Sequence, residues 1–98
     1  MEDKEIVEAV VDFLGRIPTN ETINWMDLYN STRNIQAIKN LMNSVGGYDE
    51  MINMFIGFKD IEVIHTGRAR SLKLTPHGVK TLNEFKADSN KVVDRPIE

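Results

Sequence analysis

Apolar residues near the start of the chain recur at intervals of three and four. Ile6, Val7, Val10, Val11, Phe13 and Leu14 make a broad stripe, with Lys4, Glu5, Glu8 and Asp12 on the other side. That period predicts a helix over 4–15, ended by Gly15 and the loop-forming Pro18-Thr19-Asn20. Asn24, a favoured cap, opens a short helix at 25–30 that buries Trp25 and Leu28. Ser31-Thr32-Arg33-Asn34 is a break. A third helix over 34–45 puts Ile35, Ile38, Leu41, Met42 and Val45 on one face, and Gln36, Lys39, Asn40 and Asn43 on the other. Gly46-Gly47 stops it, and a fourth helix over 48–58 buries Met51, Ile52, Met54, Phe55 and Phe58.

The pattern then changes. Ile61-Glu62-Val63-Ile64-His65 is rich in β-branched residues and reads as a strand. Thr66-Gly67-Arg68-Ala69-Arg70 supplies a basic turn with Gly67 available for positive φ. Ser71-Leu72-Lys73-Leu74 alternates polar and apolar, so a strand at 70–74 returns antiparallel to one at 61–65. Thr75 caps a closing helix at 76–87, Pro76 takes its first position, and Leu74 with Val79 forms a hydrophobic staple. Residues 88–98 keep no period and are expected to be a disordered tail after a single domain over 1–87.

Composition adds three constraints. A chain of 98 residues with 41% hydrophobic content has room for one modest core. With no cysteine there is no disulfide or thiolate metal site. No apolar run is long enough to span a bilayer, and the acidic start does not read as a secretory signal, so a cytoplasmic protein without membrane contact is expected. Net charge is −3, but it is uneven: residues 1–30 carry seven acids against two bases, whereas 59–80 carry five bases against two acids. The second stretch promises a positive edge on an acidic body.

The candidate chemistry is thin outside that edge. His65 and His77, without cysteines or helically spaced carboxylates, make no zinc set and read as surface histidines, so neither metal nor cofactor is expected. Nothing orients Asp60 and Glu62 as an acid/base pair, the serines lack a nucleophile context, and Gly46-Gly47 lacks the residues of a phosphate loop. An enzyme is not expected. Met26, Met42, Met51 and Met54 read as core filler, and Trp25 and Tyr29 as packing residues with no basic neighbours.

The run Gly67-Arg68-Ala69-Arg70-Ser71-Leu72-Lys73-Leu74-Thr75-Pro76-His77-Gly78 resembles the wing of the winged helix-turn-helix regulators of bacteria and archaea, a Gly-Arg turn leading into a strand that ends Leu-Thr-Pro-x-Gly. The resemblance covers about residues 4–87 and is sequence-specific only in the wing and final cap. It implies an α+β fold, mostly helical with a two-stranded wing and a C-terminal helix, and a transcription regulator that binds duplex DNA as a homodimer. Arg68, Arg70 and Lys73 would then meet phosphate or the minor groove. Family order makes 48–58 the recognition helix. Residue chemistry favours 34–45, where Gln36 and Asn40 suit base edges and Arg33 and Lys39 suit phosphate or guanine. The stripe of the first helix and the closing helix would join two copies. Winged helices also serve as protein-interaction modules, which the acidic N-terminal third and the apolar 48–58 helix would suit.

Overall fold

The apolar stripes find most of their partners inside the chain, but Phe58, expected to be buried on the fourth helix, lies just past its end and is 62% exposed. The computed structural model describes residues 3–93, with side chains to Asp88. Its elements are α1 (Asp3–Leu14), β1 (Ile23–Asn24), α2 (Trp25–Thr32), α3 (Gln36–Val45), α4 (Tyr48–Gly57), β2 (Ile61–Thr66), β3 (Ala69–Leu74) and α5 (Pro76–Val93). The fold is α+β: five helices and a three-stranded antiparallel sheet in the order β1-β3-β2. Helix α1 buries Ala9, Val10, Phe13 and Leu14 and packs against α3 and α5. Phe13 stacks on Phe55 of α4 with ring centres 5.3 Å apart. Buried rings of this kind contribute about 1.5–3 kcal/mol each by leaving water.

The stripe expected to join two chains is therefore largely used within one. Val10 is buried, and Ile6 and Val11 pack against the same core. Helix α2 runs to Thr32, two residues into the expected break, and the buried Thr32 hydroxyl is satisfied within the helix by donating to the Leu28 carbonyl at 2.7 Å. Helix α5 runs to Val93, six residues beyond the expected end at 87. Once nucleated at its cap, a helix adds residues at little cost even through the polar Asp88-Ser89-Asn90. Residues 88–93 of the expected tail are thus helical, and 94–98 lie outside the described residues.

The sheet gains a strand that periodicity does not reveal. Ile23 pairs with Leu72 and Asn24 with Ser71, a two-residue ladder too short to alternate visibly. Asn24 then caps α2, its side-chain oxygen accepting from the Met26 and Asp27 amides at 2.9 and 3.2 Å. In the hairpin, Thr66 faces Ala69, leaving Gly67 and Arg68 as a two-residue turn. Gly67 has φ 63°, the positive first position of a type II′ hairpin.

A tight junction joins α4, β2 and α5. Helix α4 ends in a Schellman motif: the Asp60 amide donates to the Phe55 carbonyl and the Lys59 amide to that of Ile56. Lys59 takes the left-handed position at φ 67°. Thr75 docks on the same segment, its hydroxyl donating to the Lys59 carbonyl at 2.6 Å and accepting from the Gly78 amide at 2.9 Å. Gly78 must be glycine here, since a Cβ would overlap the Asp60 carbonyl oxygen. Leu-Thr-Pro-x-Gly is in this chain the device that seats α5 on the end of α4.

Candidate nucleic-acid interface

Strand alternation decides which way the hairpin cations point. Arg70, Leu72 and Leu74 share one face of β3, and Leu72 and Leu74 are buried against the helices. Arg70 therefore leans toward the helices at the open end of the sheet. Its guanidinium carbon lies 3.7 Å from the centre of the Trp25 indole, at the start of α2. Trp25 meets Tyr48 edge-on at 5.4 Å, Tyr48 meets Tyr29 at 4.7 Å, and Arg33 stands 5.5 Å from the Tyr29 ring. The result is a continuous ladder: arginine, three aromatic rings, arginine.

The ladder is tied at its centre. The Tyr48 hydroxyl donates to the Trp25 carbonyl at 3.1 Å. Burial, reinforced by the Asp49 carboxylate and opposed by Arg70, pushes the Tyr48 phenol well above its ordinary range. It stays protonated and keeps donating. Trp25 and Tyr29 thus do have basic neighbours, contrary to expectation. Arg70 arrives from β3, far along the chain, whereas Arg33 stands one helical turn after Tyr29 at the end of α2.

Arg68 sits exposed at the hairpin tip. Lys73 does not join it: its cross-strand partner is Glu62, on the face of the sheet opposite Arg70. With Thr19, Asn20 and Pro76 it lines a separate recess. The expected positive edge therefore splits, with Arg70 on the helix side, Lys73 behind and Arg68 at the tip between them.

On α3, Gln36 donates from Nε2 to the Asn40 Oδ1 at 2.9 Å, an exposed pair one helical turn apart. Lys39 is exposed beside them. Arg33 lies in the connection just before α3, so it links the ladder to this polar face. Helix α4 offers different chemistry. Met51, Ile52 and Phe55 are buried, and its exposed side includes Asp49, Glu50 and Asn53 but no cation. Asp49 and Glu50 instead rim a notch of about 460 Å³ whose floor includes Trp25, Tyr29 and Tyr48.

No family model, curated protein or solved structure matches this chain. The site rests on its own geometry.

Two roles lay beyond the reach of linear pattern. Asp60 is buried at 3% exposure, with its Oδ1 accepting from the Thr81 hydroxyl at 2.8 Å and facing the His77 Nδ1 at 3.0 Å. A carboxylate only accepts, so Nδ1 carries the hydrogen. His77 is thus a structural partner of Asp60 and more than a surface histidine. Among the methionines, Met51 is fully buried while Met26 is 53% exposed, so core filler describes only part of the set. Among the described residues no group of three or more histidines and carboxylates could hold a metal, and no helix is long and apolar enough to cross a membrane.

Proposed function

We propose that the chain is a winged helix-turn-helix transcription regulator that binds duplex DNA as a homodimer, acting in the cytoplasm. The observation that carries this reading is the Arg70 guanidinium held 3.7 Å over the Trp25 ring. A guanidinium stacked on an aromatic face keeps the N–H groups of its edge available, and a prepositioned side chain loses less entropy when it meets a phosphate. Arg68 extends the same edge at the hairpin tip. In this reading the hairpin is the wing, and Arg68 and Arg70 meet phosphate or the minor groove.

Helix α3 is the better groove reader of the two candidates. Gln36 and Asn40 present amides on its exposed face, with Lys39 and Arg33 beside them for phosphate or guanine. Helix α4 presents Asp49 and Glu50 at its leading end, where phosphate would be repelled. Lys73 stands outside the interface. A domain of this size reads only a short half-site, so two copies supply matched spacing and doubled contacts.

A second reading, a protein-interaction module, is favoured by one specific observation: the aromatic notch rimmed by Asp49 and Glu50 with Met26 exposed beside it. It suits a basic peptide better than a nucleic acid. Titrating a labelled random duplex with the protein at low salt separates the two. The regulator reading expects binding there, and absence of duplex binding under those conditions contradicts it in favour of the second reading.

A further inference from the structure

The aromatic ladder leaves the other end of α4 unexplained. There, α1, α3, α4 and α5 line a half-open cavity of about 670 Å³. Ile6, Val10, Leu41, Met54, Phe58 and Phe85 supply its walls; Lys59, Asp60, His77 and Thr81 collect in one corner, and Ser44 adds a single hydroxyl from α3. The volume falls within the range of small-molecule sites, about 300–1,000 Å³. Phe58 at the mouth is 62% exposed, an apolar ring left in water beside an apolar hollow.

We propose that this cavity binds a small uncharged amphiphile: an apolar body of about ten to twenty non-hydrogen atoms with a single hydroxyl or carbonyl head. The apolar walls offer nothing to compensate a net charge on a ligand. The polar corner holds one carboxylate and one ammonium, Asp60 and Lys59, so neither sign of ligand charge gains without loss. Asp60 already faces the Thr81 hydroxyl and the His77 Nδ1, which satisfies much of its capacity within the fold. A neutral head that hydrogen-bonds at this corner fits, with the apolar body along Met54, Phe85 and Leu41.

A second copy of the chain fits less well. A stable contact between proteins buries about 800 Å² per partner. Here one large apolar side chain, Phe58, protrudes, and the others lie recessed in a hollow. The cavity lies away from the aromatic ladder, though it shares α3 with the proposed groove contacts, Leu41 following Asn40 directly. Tyr48 in the ladder and Phe58 at the cavity mouth are ten residues apart along α4, about 15 Å. The proposal does not depend on DNA binding.

The test uses the full chain and three probes of one length: 1-decanol, decanoate and decylamine. Titration calorimetry and thermal denaturation are read for each. The expected result is saturable one-to-one binding of 1-decanol with a rising thermal midpoint, and binding of both charged probes weaker by about tenfold or more. Ser44→Phe, at an exposed position on the wall, and Val45→Trp are expected to weaken 1-decanol by about tenfold while circular dichroism stays unchanged. The proposal is overturned if no probe binds saturably, or if either charged probe binds as tightly as 1-decanol. It is overturned too if both variants fold and leave the affinity for 1-decanol unaltered. A dimer that Phe58→Glu dissolves, together with absence of 1-decanol binding, would assign the hollow to a subunit contact and overturn it likewise.

Discussion

The central carbon of the Arg70 guanidinium lies over Trp25, 3.7 Å from the ring centre. This contact helps join β3 to α2, on the face toward which strand alternation turns Arg70. Trp25 is the sole tryptophan, so its emission reports the contact. Arg70→Ala should shift that emission and cost about 0.5–1 kcal/mol in denaturant unfolding. Arg70→Lys keeps the charge but loses the planar stack, and should recover only part of both effects. Unchanged emission in Arg70→Ala would mean that the stack is not formed in solution.

Tyr48 makes stability depend on pH in the alkaline range. Its folded-state value is raised above the ordinary 10.0, first by burial and then by Asp49. The unfolded chain ionises this phenol near its ordinary value while the folded chain holds the proton. Its contribution to stability is therefore complete below that value and is lost as pH rises through and beyond it. Tyr48→Phe should flatten the alkaline fall in stability, and at neutral pH should cost about 1 kcal/mol for the lost hydrogen bond to Trp25. Equal alkaline slopes in the two proteins would contradict this.

Gly78 is fixed by space rather than by φ. An added methyl would overlap the Asp60 carbonyl oxygen and crowd Leu74, so Gly78→Ala must displace α5 from the end of α4. The expected loss is about 3 kcal/mol or more, read as the shift in urea midpoint.

Lys59 poses the opposite case. It occupies the left-handed position of the Schellman motif at φ 67° without being glycine. Lys59→Gly removes the Cβ strain and should raise stability by about 0.5–1 kcal/mol. A destabilised variant would show that the lysine side chain contributes more than its backbone position costs.

The helices were legible because apolar stripes at threes and fours leave little choice of buried face, as in α1 and α3. The hairpin was legible from Gly67 and from the alternation through Leu72 and Leu74. Strand β1 was not, because two residues cannot show a period of two and its partner Leu72 lies far along the chain. The end of α5 was misjudged for a related reason. Past Ala87 the helix continues through Asp88-Ser89-Asn90-Lys91, where no apolar residue marks a buried face.

The candidate site was legible in part. Arg68 and Arg70 stood out by composition, but Lys73 was grouped with them although alternation turns it to the other face. The role of Trp25 was invisible, since Arg70 reaches it through the sheet. The sequence offers no role for Asp60 because its partners, Thr81 and His77, come from α5.

The central claim is tested most directly by the salt dependence of duplex binding. Affinity for a random duplex is measured by fluorescence anisotropy from about 50 to 200 mM salt, for the natural chain and for Arg68→Ala with Arg70→Ala. The account predicts binding at low salt that weakens steeply with added salt, and a log–log slope in the variant shallower by about 0.9 for each phosphate contact removed. Light scattering should show a dimer at the same concentrations. No binding at the lowest salt, or a slope that the two substitutions leave unchanged, would contradict it.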